Sequence, residues 1–313
     1  MNLKQAIKSE AYQLGFSAFG VASADYDPVG HNRHLRWIDK GYQADMGYLA
    51  RGSRQRFDPK VILPSAKSAM VCALNYYHKL ENDPSKLYIS IYTRGENYHA
   101  IMMDKLKVLC GKMNELAGNC TYKAYADSSP LSEKSLVLKA GLGFVGKNGL
   151  LIISSNNGQI PAQGSFYFLG SIITDLELEP DMAINKNCGQ CHRCIETCPT
   201  GAILGNGTID ANRCISYHTI QNKGVIPEEI SSRMGNMIFG CDLCQAVCPF
   251  NTNARESDEP RLVSDPLLIS PEPEKLLNMT EEMFNKRFEK SSIGETGYRL
   301  FMRNLSIAVK NSV

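Results

Sequence analysis

The chain opens on MNLKQAIKSEAYQLGF, where Leu3, Ala6, Ile7, Ala11 and Leu14 recur at helical spacing with Lys and Glu between them. This pattern predicts an amphipathic helix and lacks the continuous apolar core of a signal peptide. Residues 1 to about 60 read as helices broken by a glycine-containing loop. In HLRWIDKGYQADMGYLARG the apolar positions Leu35, Ile38, Tyr42, Met46 and Leu49 are expected to pack into a core. KSAMVCALNYY (67–77) predicts a short buried strand, and TYKAYAD (121–127) a second strand that ends on an acid. Between them IYTRGENYHAIMMDKLKVLCGKMNELAG predicts a turn followed by a helix, and SEKSLVLKAGLG then predicts a helix that stops at glycine. GLLIISSNNGQI reads as a strand and turn, and GSFYFLGSIITDLEL as a long alternating strand. Residues 1–180 therefore form a mixed α+β domain. Residues 181–255 form a small cysteine-rich module, poor in other apolar residues and organised by metal. Residues 256–313 read as a proline-rich loop and two helices.

Composition narrows the setting. At 313 residues and 43% hydrophobic, the chain has apolar material for two domains, or for one large domain with an insert. Thirty-four basic against 32 acidic residues leave a formal charge of +2, so any nucleic-acid contact is a local patch. Arg33, His34 and Arg36, followed by Arg51, Arg54, Arg56 and Lys60, supply one local excess, either a phosphate-binding surface or ordinary solvated helix faces. No window approaches the roughly 18 uncharged apolar residues of a membrane span, and the protein is read as cytoplasmic. Eleven cysteines in a reducing compartment point to metal or redox chemistry before disulfides. Cys72, Cys110 and Cys120 stand alone and read as buried thiols.

The other eight carry the strongest signal. CGQCHRCIETCPTG (188–201) has the spacing C-x2-C-x2-C-x3-C-P. In ferredoxins with two 4Fe-4S clusters the first three such cysteines hold one cluster and the fourth holds the other. Cys188, Cys191 and Cys194 thus belong to one cluster, and Cys198 reaches to a second. GCDLCQAVCPF repeats the pattern with a vacancy, because Ile238 stands where its first cysteine would be. Cys214, in DANRCISYH, fills it. Cys198, Cys214, Cys241 and Cys244 then complete the second cluster, and Cys248 crosses back to complete the first. A pair of zinc sites is the competing reading, but two runs ending in Cys-Pro favour clusters.

A cluster closed by four thiolates has no open position for substrate, so it passes single electrons and the chemistry occurs elsewhere. No GxGxxG follows a strand, and GLGFVGKNG follows a helix, so neither a dinucleotide site nor a phosphate cradle is indicated. RGENYH (94–99), YADSSPLSEKSLVLKAGLGFVGKNGLLI (125–152), GSFYFLGSI (164–172), the eight-cysteine segment, CISYHTIQNKGVIP (214–227) and GCDLCQAVCPFN (240–251) follow in one order. In these motifs the chain resembles the epoxyqueuosine reductases, from about residue 1 to residue 255. The tail resembles only the start of the helical-repeat region with which many members grip tRNA.

The resemblance implies a cobalamin-binding α+β module of nitroreductase-like fold with a ferredoxin-like two-cluster module packed against it. It implies reduction of an epoxide to an alkene on the modified wobble base of a tRNA anticodon, which takes two electrons and two protons and releases water. Cobalt would supply the electrons, and the clusters would recharge it singly from an external one-electron donor; the protein is expected to be a monomer. An epoxide oxygen leaves poorly as an alkoxide, so a general acid is required, and Asp127 in YADSSP matches the family's proton donor. Free aspartate ionises near about 3.9, so burial over the corrin has to raise it. Local sequence alone favours Asp127 as the cap of a helix near Pro130; the resemblance favours the acid. Arg56, Tyr98, His99, Lys147, Asn148, Gly164 and Ser165 are candidate contacts to corrin or substrate. Ser216, Tyr217 and Asp242, beside cluster ligands, are expected where electrons cross to cobalt. His218 stands where the family has an apolar residue and is not expected to ligate cobalt; His192 is expected to face solvent. A reductive dehalogenase relative shares the module plan, but usually carries an export signal and a tyrosine acid. A non-catalytic electron carrier is the third reading.

Overall fold

The apolar run at residues 67–77 becomes the middle of the main sheet. In the computed structural model, which describes residues 2–79, 86–127, 130–154 and 164–312, that sheet has four strands: β1 (Ala18–Ser23), β2 (Ser68–Asn75), β3 (Tyr122–Tyr125) and β4 (Tyr167–Thr174). Their spatial order is β1-β2-β4-β3, every pair antiparallel, with Cys72 of β2 opposite Phe19 of β1 and Gly170 of β4. Alternate side chains of a strand point to opposite faces, and both faces here are covered. Phe19, Met70, Cys72, Leu74 and Ile172 share a core with Ile7 and Ala11 of the helix Leu3–Gln13 and with Ile101, Met102 and Leu106 of the helix Tyr98–Ala117. Ala18, Ala22, Ala69, Val71 and Ile173 pack instead with Leu136 and Val137 of the helix Glu133–Lys139. Double coverage explains why β2 lacks polar alternation.

The helix Glu133–Lys139 ends as expected, with Gly141 at φ 64, a left-handed conformation that glycine adopts without steric cost. The core expected from Leu35 to Leu49 does not form. The helix Pro28–Asp39 buries only His31, Leu35 is 43% exposed, and Tyr42, Met46 and Leu49 are only partly covered. The helix stops at Lys40 and the chain turns at Gly41 (φ 67), so the apolar stripe does not continue along one face.

The cysteine-rich segment is less self-contained than its composition predicts. Its strand Met237–Phe239 pairs in parallel with Tyr88–Ile89 of the α+β segment. Ile238 and Phe239 are fully buried with Leu87 and Ile89 and with Phe284, Phe288, Phe301 and Leu305 of the tail, so a single core joins all three segments. Among the described residues the tail forms five α-helices where two helices were expected: Pro266–Ile269, Pro273–Leu277, Glu281–Arg287, Ser292–Thr296 and Tyr298–Asn311. Prolines start the first two, at the position where the missing N–H costs nothing. The turn expected in SSNNGQI lies at residues 155–160, outside the described residues. Among the described residues no helix is long and apolar enough to cross a membrane.

Candidate active site and electron path

Asp127 follows β3 in a left-handed conformation, φ 55, which non-glycine residues adopt uncommonly and aspartate more readily than most. It does not cap the following helix. Ser132 does, accepting the N–H of Ser135, so the Asp127 carboxyl has no capping role, and its side chain is 57% exposed. The Tyr98 hydroxyl donates to Asp127 Oδ2 at 2.6 Å, and His99 Nε2 lies 3.6 Å from the same oxygen. Both come from the first turn of the helix Tyr98–Ala117, whose cap is Asn97. The Tyr98 ring stacks between Phe168 of β4 and His99, with both ring-centre separations 4.1 Å, which fixes where its hydroxyl points.

From below, the Asp127 N–H donates to Glu133 Oε1 at 3.1 Å. Burial pushes Glu133 up to about 8, against that hydrogen bond and with the Asp127 charge adding to it. The Tyr98 hydroxyl is raised far above its ordinary value, by burial first and the Asp127 charge second. Sequence reasoning missed Glu133 because an acid in the first turn of a helix needs no further explanation.

Asp127 opens into a cavity of about 760 Å³ walled by Tyr48, Arg56, Tyr98, Glu133, Lys134 and Tyr167. Arg56 donates to the Tyr48 carbonyl at 2.9 Å, while its buried Nε has no partner and is available to a ligand. Lys134 also lines a second cavity of about 320 Å³, whose wall includes Tyr92, Asn148, Ser216 and Asp242 together with Cys198, Cys214, Cys241 and Cys244. Thus the acid and four of the cysteines face two spaces that share a wall residue.

Burial and neighbouring thiols raise the cysteines in two sets. Burial raises the thiols of Cys194 and Cys248, and the thiol neighbours that add to it are Cys188, Cys191 and each other or Cys188 and Cys191 alone. Burial likewise raises Cys214, Cys241 and Cys244, whose added thiol neighbours are Cys198, Cys214 and Cys241. Cys194 also adds to the rise at Cys244. Ile238, at the vacant position of the second run, is fully buried in the shared core. Cys72 and Cys110 are buried as expected; Cys120 is only partly so.

The remaining candidates divide. Arg56, Tyr98 and His99 gather around Asp127, whereas Asn148, Ser216 and Asp242 line the second cavity. Asp242 is buried and accepts from the Tyr88 hydroxyl (2.7 Å), the Ser90 hydroxyl (2.6 Å) and the Ile91 N–H (2.9 Å), which binds the cysteine module to the α+β segment. Gly164 and Ser165 meet the end of the cysteine module. The Ser165 N–H donates to Asn251 Oδ1 at 2.8 Å, and a Cβ on Gly164, where φ is 100, would stand 2.4 Å from that oxygen. The Tyr217 hydroxyl accepts from the Asp45 N–H at 3.2 Å. Lys147 reaches the first cysteine loop, donating from Nζ to the carbonyls of Gly189 and Cys191 at 2.9 Å each.

His218 has no nitrogen left for a metal: Nε2 bonds the Asn212 carbonyl at 2.7 Å and Nδ1 the Asn222 amide at 3.0 Å. His192 is exposed, as expected. Of the basic residues, Arg54 pairs with Asp58 and Lys60 with Asp25, whereas Arg33, Arg36 and Arg51 are exposed and make no ion pair among the described residues. Arg33 and Arg36 line a third cavity, of about 510 Å³, with Trp37, Lys40 and again Lys134.

The family model described as a 4Fe-4S double cluster binding domain matches residues 187–251, and one described as epoxyqueuosine reductase QueG, DUF1730, matches residues 56–128. The epoxyqueuosine reductases of Aliivibrio fischeri and Cyclobacterium marinum are each 38% identical to this chain, over 99% and 98% of it and 83% and 96% of their own lengths. A crystal structure of epoxyqueuosine reductase with an epoxyqueuosine-modified tRNA-Tyr stem loop superposes with a TM-score of 0.90 at 29% identity, covering 99% of this chain and 81% of that one. With a double-cluster domain beside an acid-bearing cavity, and with relatives matched over nearly its whole length, this chain belongs to the epoxyqueuosine reductase family.

Proposed function

We propose that the protein reduces epoxyqueuosine to queuosine at the wobble position of tRNA, with cobalamin in the nitroreductase-like α+β module and two 4Fe-4S clusters in the cysteine module. The carrying observation is Asp127, held by Tyr98 at the mouth of a cavity that shares Lys134 with the space lined by Cys198, Cys214, Cys241 and Cys244. Cys188, Cys191, Cys194 and Cys248 are assigned to the first cluster, and Cys198, Cys214, Cys241 and Cys244 to the second. Cobalamin fits the residues present: Arg56 Nε is buried without a partner in the cavity wall, and Ser216, Asn148 and Lys134 present polar groups to the adjoining space. When bound, the corrinoid supplies low-valent cobalt able to deliver two electrons to the substrate.

The chain's own residues manage the proton and the geometry. Asp127 donates a proton to the epoxide oxygen as its C–O bond breaks. Two electrons and two protons in all convert the epoxide to an alkene and water. Tyr98 holds the Asp127 carboxyl and Glu133 holds its backbone N–H, so little reorganisation is needed when charge develops. His99, 3.6 Å from the same carboxylate oxygen and partly exposed, connects it to solvent. Exposed Arg33, Arg36 and Arg51 offer unpaired charge to tRNA phosphates, in keeping with the stem loop bound by a solved relative. The protein is proposed to act as a cytoplasmic monomer fed by an external single-electron donor.

The test is an anaerobic assay with a chemical reductant, cobalamin and an anticodon stem-loop bearing epoxyqueuosine. Conversion by the wild type, with Asp127→Asn inactive yet still binding cobalamin, is expected. Normal turnover by Asp127→Asn would remove Asp127 from the reaction, and failure of the loaded wild type to convert the substrate would sink the assignment.

A further inference from the structure

The glycine-flanked turn Gly146-Lys147-Asn148-Gly149 joins the strands Gly143–Val145 and Leu151–Ile153 of a hairpin in the α+β segment, yet its side chains serve the cysteine module. The Lys147 N–H points at Cys188 Sγ, 3.4 Å away, and its Nζ donates to the carbonyls of Gly189 and Cys191 at 2.9 Å each. The next residue, Asn148, directs Nδ2 at the Cys244 carbonyl, 3.4 Å away. Consecutive residues of one turn therefore reach one loop of each cysteine group. The turn's backbone is closed on itself: Gly146 N–H donates to the Leu150 carbonyl at 2.8 Å, and Gly149 takes φ 71.

Lys147 carries an uncompensated charge, because among the described residues no carboxylate pairs with it. Its ammonium is anchored by carbonyls on either side of Cys191, within the loop that carries Cys188 and Cys191. Reducing a 4Fe-4S cluster adds one negative charge. A fixed positive charge beside it, and an N–H directed at a ligand sulfur, both favour the reduced form and raise the potential.

We infer that Lys147 sets the reduction potential of the cluster held by Cys188, Cys191, Cys194 and Cys248, keeping it above the value its thiolates alone would give. The inference rests on the ligand assignment proposed above. Lys147 is thus a positioning and charge-setting residue of the electron path, and no proton or bond change accompanies its action: the cluster gains and loses one electron.

The experiment uses the full chain reconstituted anaerobically with iron and sulfide, with iron and labile sulfide counted to establish that both clusters are present. Equilibrium redox titrations followed by electron paramagnetic resonance would compare wild type, Lys147→Met and Lys147→Arg. The midpoint of one cluster is expected to fall in Lys147→Met, to stay near wild type in Lys147→Arg, and to belong to the signal lost in Cys188→Ser; the other midpoint is expected to stay put. Unchanged midpoints in Lys147→Met, or a shift confined to the other cluster, would overturn the inference. If Lys147→Met fails to assemble the cluster, Lys147→Gln keeps a donor for the carbonyls without the charge, and an unshifted potential there overturns it equally. Cys248→Ser separates the two readings. If it spares the signal lost in Cys188→Ser, the ligand assignment fails, whatever Lys147 does.

Discussion

Tyr98 donates its hydroxyl to Asp127 Oδ2 at 2.6 Å, from a ring clamped between Phe168 and His99. The first turn of one helix thereby aims the acid at the end of a sheet strand. Loss of a positioned general acid costs about 10²–10⁴ in rate, so Asp127→Asn is expected to fall in that range in single turnover while cobalamin binding, followed by absorbance, is retained. Tyr98→Phe removes the hydrogen bond that holds the Asp127 carboxyl and is expected to lose about 10- to 100-fold. Equal losses in the two variants would mean that Tyr98 does more than hold Asp127.

Glu133 makes stability depend on pH in a stated direction. Its folded-state pKa, about 8, lies above that of an ordinary carboxyl, so between the two values the folded chain holds a proton that the unfolded chain has released. Stability contributed by this group is full at low pH, falls as pH rises toward 8, and is level beyond it. Glu133→Gln stays neutral throughout. In the cofactor-free protein, the thermal midpoint of Glu133→Gln relative to wild type is expected to climb from pH 5 to pH 8 and then flatten; a difference that does not vary with pH would contradict the raised carboxyl.

Cys214→Ala and Cys248→Ala separate the two clusters. The first is expected to leave three thiolates on the second cluster and alter its paramagnetic resonance signal alone; the second is expected to alter the first cluster's signal alone. The same signal changing in both variants would show that the ligands are grouped otherwise.

Asp242 accepts three hydrogen bonds in a buried site that joins two segments. Asp242→Ala orphans two hydroxyls and a backbone N–H, at about 1–3 kcal/mol each when no water replaces the acceptor. A loss of about 3 kcal/mol or more is expected in denaturant unfolding of the iron-free chain, where cluster loss does not contribute. An effect below about 1 kcal/mol would mean that water enters and takes over the acceptor role.

Local pattern was legible wherever the deciding force was local. The N-terminal helix, the long helix after Asn97 and the glycine stop at Gly141 follow from apolar spacing, capping and backbone freedom, all of which act within a few residues. The unbroken burial of β2 was visible as an apolar run. The stretch after Asp39 misled, since spacing alone does not tell whether a stripe meets a core or the mouth of a cavity. Lys147, Gly164 and Ser165, candidate contacts to corrin or substrate, also meet the cysteine module, a packing relationship that no local pattern carries.

By itself, then, the sequence determined the eight cysteines, the vacancy at Ile238 and the acid at the end of β3, because ligand type and spacing are covalent facts. Only the tertiary structure decided that Ser132, and not Asp127, caps the helix, that Glu133 lies under Asp127, and that one turn reaches both cysteine loops. Those contacts join residues through backbone conformation and three-dimensional packing, and the strength of each hydrogen bond depends on a geometry and a burial that exist only once the chain has folded.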